Sequence, residues 1–138
     1  FCLFGKVQTG VEAEKDGYKV DPAFGGPEYE TLGSFGSNCG VNDFNAISKA
    51  NFICNEMGMD TISAGGTIAC AMEMSERGYI PAEDIGFPLR FGDAKAIVKL
   101  TEMMANREGF GDVLAEGSYR LAEKYGHPEC FMGVKKQD

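Results

Sequence analysis

From Asn42 onward the chain is cut into short helical stretches, each opened by a capping residue and closed by a glycine. That punctuation constrains the fold more than any bulk property. Asn42 or Asp43 can cap a helix running to about Met57, with Phe44, Ile47, Ile53 and Met57 broadly on one face and Gly58 as its stop. Thr61 or Ser63 can open a second, with Ile68 and Met72 on one side and Gly78 closing it. After a connector, "YIPAEDIGFPLRFGD", Asp93 caps a third that carries Ala94, Ile97, Val98, Leu100 and Met104 to a stop at Gly109. A fourth is expected from Asp112 to Tyr125, burying Val113, Leu114 and Leu121 and ending at Gly126. Segments of three to four turns with this pattern make a small, mainly α domain of about four helices.

The first 41 residues differ. They hold eight of the 19 glycines and two of the five prolines, with short β-compatible pieces at Lys6–Gln8 and Tyr18–Val20. An extended, irregular arm with no helix of length is the expectation there. The expected organisation is an arm over 1–41, a helical domain over 42–126 and an outgoing loop over 127–138.

Composition closes off several classes of function. At 138 residues and 43% hydrophobic content the chain can bury a core as one domain. A net charge of −8, with no basic cluster, argues against nucleic acid as a partner. No apolar run is long enough to span a bilayer. Five cysteines at irregular positions, with no C-x-x-C among them, point to free thiols in a reducing cytoplasm and not to a disulfide framework. The opening "FCLFGKVQTG" and the ending "CFMGVKKQD" read as a piece of a longer chain.

Local chemistry is sparse. "GSFGSNCG" and "SAGGT" are glycine-rich but match neither a P-loop nor a dinucleotide fingerprint. The sole histidine, His127, reads as a loop residue, and no zinc-ligand spacing includes it. Glu28 and Glu30 flank Tyr29, and on an extended backbone both acids would share one side. Glu73 and Glu76 read as a solvated helix face. The stretch "CNEMGMDTISAGGTIACAMEMSERG" is the puzzle, because Gly65 and Gly66 each cost a helix roughly 1 kcal/mol relative to Ala. Two readings remain open. One is a corner at Asp60 whose bare first turn admits a polar or anionic group. The other is a close helix crossing.

Several stretches, in order along nearly the whole chain, resemble the tungsten-containing aldehyde ferredoxin oxidoreductase family. "GGPEYET" is similar to that family's G-P-E-Y-E-T segment, and "NCGVNDFNAISKANFICNEMGMDTISAGGTIACAMEMSERG" to the helical pair around its D-x-x-G-L-D motif. "FGDAKAIVKLTEMMANREGFGDVLAEGSYRLAEKYG" is similar to the helices that follow. The resemblance implies the middle, helical domain of a longer enzyme. That enzyme would oxidise aldehydes at a tungsten (or molybdenum) held by two pterins and pass electrons through a [4Fe–4S] cluster to ferredoxin. It implies Glu30 as a proton-transfer carboxylate beside the metal and Asp60 and Gly58 as pterin-motif residues. Asn55 stands where the motif has its first acid; its amide oxygen can still accept from a pterin amine, without a charge. Met59 takes the Leu place. Cys2 fits the third cysteine of the family's C-x-x-C-x-x-x-C cluster run, while Cys39 and Cys54 match no ligand position. "KANF" (49–52) lacks both ligands of the E-x-x-H iron found at some family interfaces. By itself the chain is expected to be inactive and to self-associate through apolar faces the other domains would cover. The rivals are a stand-alone helical interaction module and a relative acting on another carbonyl or acyl substrate.

Overall fold

A computed structural model describes residues 26–133 and Lys135. Among these are seven α-helices and no strand. They are α1 (Tyr29–Thr31), α2 (Phe44–Met57), α3 (Thr61–Glu76), α4 (Ala82–Ile85), α5 (Ala94–Asn106), α6 (Phe110–Leu114) and α7 (Ser118–Lys124). The mainly α architecture matches the expectation, and no described helix is long and apolar enough to cross a membrane.

Where a capping carboxylate and a glycine stop frame an amphipathic run, the structure follows the sequence. Asp43 accepts from the N–H groups of Asn45 (3.0 Å) and Ala46 (3.2 Å) to open α2. Gly58, at φ +71°, closes it, and Met59 N–H donates back to Cys54 O at 2.8 Å. Asp93 opens α5 in the same way, accepting from Ala96 N–H at 3.1 Å.

α3 is the central element. Ala64, Gly65, Thr67, Ile68, Cys70, Ala71, Met72 and Met74 are all buried, so the helix is covered around most of its circumference. It touches α1, α2, α5, α7 and the turn Pro128–Cys130. Its cap is Asp60, whose carboxylate accepts from Ser63 N–H at 2.8 Å, and not Thr61 or Ser63 as expected. A carboxylate there both satisfies an orphan N–H and faces the positive helix end, which a hydroxyl one residue later cannot do.

Three expectations need correction. The stretch after Pro27 is helical: α1 runs directly into a π-helical segment, Leu32–Ser37, with Asn38 N–H donating to Gly33 O and Val41 N–H to Gly36 O, both at 2.9 Å. Glu28 is extended, but Tyr29 and Glu30 are helical, so Glu28 and Glu30 do not alternate along a strand. The cause is tertiary. Gly65 of α3 has no side chain, and Ser34 fills that space: a Cβ at Gly65 would lie 2.8 Å from both the carbonyl carbon and the Cβ of Ser34. Next to it Phe35 is fully buried in the core, and that burial offsets the weak helix propensity of "LGSFGS". The arm residues before Gly26, Cys2 included, lie outside the described residues.

Second, the expected fourth helix is two. α6 ends at Leu114, and Gly117, at φ +92° and ψ 165°, resets the backbone before α7. Third, α5 stops at Asn106, before Gly109. Arg107 takes the left-handed turn at φ 52°, and its guanidinium holds Asp112 (2.9 Å) and Glu116 (3.1 Å) from the following segment. The connector also contains α4, and the outgoing loop a single 3₁₀ turn, Pro128–Cys130.

The core is filled by Phe35, Ile68, Met72, Met74, Ile97, Leu100, Leu114 and Leu121, all fully buried. Within it the hydroxyl of Ser48 on α2 is buried and has no hydrogen-bond partner. Leaving such a group unpaired costs about 1–3 kcal/mol. Ser48→Ala is therefore expected to raise the unfolding free energy by about 1 kcal/mol, read as a higher urea midpoint at unchanged slope.

Candidate functional site

Two clefts open on either side of the N-terminal half of α3, and Glu30 and Asp60, two of the residues expected to carry function, line different ones. The larger has a volume of about 910 Å³ and is lined by Glu30, Ser34, Gly66, Cys70, Phe91 and Met132 among others. Its rim is apolar and exposed: Tyr29 is 73% and Met132 84% accessible, joined by Ile62 and Phe91. Glu30 reaches it because α1 lies across the start of α3. A carboxylate among apolar walls can accept a proton from a substrate bound against them. Tyr29, beside it, carries no functional signal in the sequence beyond its place between two acids.

The smaller cleft, about 380 Å³, is lined by Asp60, Met59, Ser63, Ala64, Met104 and Arg107, with further residues from α6 and the turn after it. Asp60 and Glu30 thus line different clefts among the described residues. The two meet through their neighbours, since Thr31 Oγ1 and Thr61 Oγ1 are 2.8 Å apart.

Asn55, Gly58 and Asp60 form one exposed corner between α2 and α3. Asn55 donates its amide N–H to Asn51 O at 2.8 Å, which leaves the amide oxygen able to accept. Asp60 uses one carboxylate oxygen on Ser63 N–H and keeps the other. A Cβ at Gly58 would meet nothing within 4 Å, so the glycine serves the left-handed backbone and leaves open space beside the turn. Two acceptors beside an uncovered turn suit a ligand edge rich in N–H donors, which is what a pterin ring presents.

Of the two readings of the glycine pair, the structure shows the close helix crossing, at Gly65. Gly65 faces the crossing with Ser34, whereas Gly66, a third of a turn on, lines the large cleft.

Among the described residues no group of three or more His, Cys, Asp or Glu side chains is arranged to hold a metal ion. The four described cysteines are reduced and buried, which suits neither Cys39 nor Cys54 to cluster ligation. Burial pushes the Cys39 thiol up to about 12, and burial together with the Asp60 charge does the same for Cys54. Cys39 Sγ sits in the seam, donating to Ser34 O (3.5 Å) and Gly65 O (3.7 Å). A thiol whose folded value lies above its unfolded one stabilises the fold fully at low and neutral pH. That contribution is lost as pH rises from about 9 to about 12. The urea midpoint is expected to hold up to about pH 8.5 and then fall, with a shallower fall in Cys39→Ala.

His127 is a half-buried loop residue. Its ring stacks on Tyr79 with 3.5 Å between centroids, and Nδ1 lies 2.8 Å from Glu129 Oε1. Glu73 pairs with Arg77 at 2.7 Å, and Glu76 accepts from Phe91 N–H at 3.2 Å, holding Phe91 at the cleft rim.

Comparison with known proteins gives a consistent answer. The family model described as "Aldehyde ferredoxin oxidoreductase, domains 2 & 3" matches residues 6–138. The tungsten-containing aldehyde ferredoxin oxidoreductase of Pyrococcus furiosus is 55% identical over 113 residues, covering 80% of this chain and 19% of that protein. The Thermococcus kodakarensis enzyme of the same name is 50% identical with the same coverage. An aliphatic sulfonate oxidoreductase, WOR-like subunit, from Pyrococcus furiosus is 39% identical over 98 residues, covering 71% of the chain and 16% of that protein. The chain thus spans about a fifth of the length of the curated relatives it matches.

Proposed function

Because the chain belongs to the aldehyde ferredoxin oxidoreductase family, we propose that it forms the middle, helical part of a tungstopterin enzyme that oxidises aldehydes to carboxylic acids. The observation that carries this is the pairing of the Glu30 carboxylate in a large, mostly apolar cleft with a separate acceptor-bearing corner across the same helix. When bound, the pterin-held tungsten supplies the two-electron redox chemistry. Asn55 and Asp60 would hold a pterin through their amide and carboxylate oxygens, with Gly58 keeping the turn free of side chain. Glu30 would take the proton released as aldehyde and water become carboxylate, and the apolar rim at Tyr29, Ile62, Phe91 and Met132 would keep bulk water from the substrate.

Electrons would leave through a [4Fe–4S] cluster, with Cys2 as one ligand, to ferredoxin. Remaining domains of the same polypeptide would close over the clefts, and a cytoplasmic location suits the free thiols. The aldehyde reading is preferred over a sulfonate substrate because identity to the aldehyde enzymes, 50–55%, exceeds the 39% to the sulfonate relative. The test is viologen reduction by the complete protein containing this chain, offered a panel of aldehydes and aliphatic sulfonates. Aldehyde-dependent reduction is expected, with none from the 138-residue chain alone. Turnover of sulfonates but not aldehydes would transfer the assignment to that substrate class.

A further inference from the structure

The Glu30 segment and the Asp60 corner lie 30 residues apart, and one hydroxyl pair joins them. Thr31 Oγ1 is 2.8 Å from Thr61 Oγ1. Thr31 immediately follows Glu30 and is only 3% exposed; Thr61 immediately follows Asp60 and is the first residue of α3. Since Glu30 and Asp60 line different clefts, their relative placement is carried by backbone, and this is where the two backbones are tied. The surroundings favour a fixed junction. Three residues on, Ser34 Oγ donates to Ile62 O at 2.6 Å, and Gly65 leaves no gap against Ser34. The intervening segment is π-helical, a geometry that proteins keep mainly where a site demands it.

We infer that Thr31 and Thr61 are a positioning pair, whose hydroxyl–hydroxyl bond sets the Glu30 carboxylate relative to the Asp60 corner. The inference rests on the roles given above to Glu30 and Asp60. Neither threonine touches the reacting atoms. Loss of either hydroxyl leaves the other without this partner in a partly buried junction and frees α1 to shift. Displacement of a reacting group by a fraction of an ångström lowers turnover while leaving substrate binding nearly intact.

The test uses the complete, cofactor-loaded enzyme carrying Thr31→Val, Thr61→Val, the double variant, Thr31→Ser and Glu30→Gln. Each valine variant is expected to lower kcat about tenfold at unchanged KM, the double variant no more than either single one, and Thr31→Ser to stay within about twofold of the parent. Hydrogen exchange, which needs no turnover, is expected to quicken across residues 29–37 in both valine variants and to return to the parent rate in Thr31→Ser. Valine variants with parental kcat while Glu30→Gln is inactive would overturn the positioning role alone. A kcat loss that serine does not restore, or exchange that quickens in only one valine variant, would also overturn it. A fully active Glu30→Gln enzyme would instead overturn the functional reading on which the role depends.

Discussion

Glu30→Gln in the complete enzyme is expected to lower kcat by about 10²- to 10⁴-fold, the span that a general acid–base group contributes. The substitution changes chemistry at fixed shape. Glutamine fills the same space at the start of the seam and can still hydrogen-bond, but it cannot take a proton. The same cleft contains Glu73, but that carboxylate is tied to Arg77 at 2.7 Å and lies three helical turns along α3 from Ile62. It offers no substitute base. KM should change little, because the rim that would bind substrate, Tyr29, Ile62, Phe91 and Met132, is untouched. Steady-state kinetics with an aldehyde and viologen measure both quantities. A kcat within threefold of the parent would mean that proton transfer is carried by a residue outside this chain.

Gly65→Ala is expected to destabilise the domain by about 2 kcal/mol, and Gly65→Val by about 3 kcal/mol or more. Alanine gains roughly 1 kcal/mol of helix propensity over glycine. Its Cβ, however, would stand 2.8 Å from the carbonyl carbon and Cβ of Ser34, and closer still to the hydroxyl. A hydroxyl can rotate away, whereas a backbone carbonyl carbon moves only with the whole π-helical segment. Overpacking therefore wins over propensity. Ser34→Gly combined with Gly65→Ala should recover only part of the loss, since the carbonyl carbon remains. Urea unfolding of the three variants reads the difference. A Gly65→Ala chain as stable as its parent would show that the seam yields.

The legible parts of the fold were those governed by neighbours in sequence. Asp43, Asp93 and Gly58 declared their helix ends because a cap bonds within three residues and a left-handed stop needs only its own backbone. The helix at 29–37 was not legible. Its sequence, "YETLGSFGS", has poor propensity, and what stabilises it is a glycine some thirty residues later. The break before α7 was hidden because apolar periodicity runs on through Val113, Leu114 and Leu121, so only Gly117 interrupts it. Arg107 was hidden for the converse reason. A non-glycine residue takes the turn where a later glycine was the obvious candidate, held by carboxylates five and nine residues on.

At the proposed site, the sequence offered candidate residues but not their arrangement. Motif resemblance singled out Glu30, Asn55, Gly58 and Asp60, but nothing in their spacing said that α3 would separate Glu30 from Asp60. Nor did it say that Asp60 would do two things at once, capping α3 through one oxygen and presenting the other. The paired glycines looked like alternatives, a crossing or a cofactor approach. Successive residues on a helix point about 100° apart, so Gly65 takes the crossing while Gly66 faces the large cleft.

The most direct measurement is anomalous diffraction at the tungsten edge from crystals of the complete protein containing this chain. A tungsten peak is expected at the mouth of the cleft lined by Glu30, with pterin density continuing to the Asn55–Asp60 corner. A peak remote from Glu30, or a pterin bound with neither Asn55 nor Asp60 in contact, would contradict it.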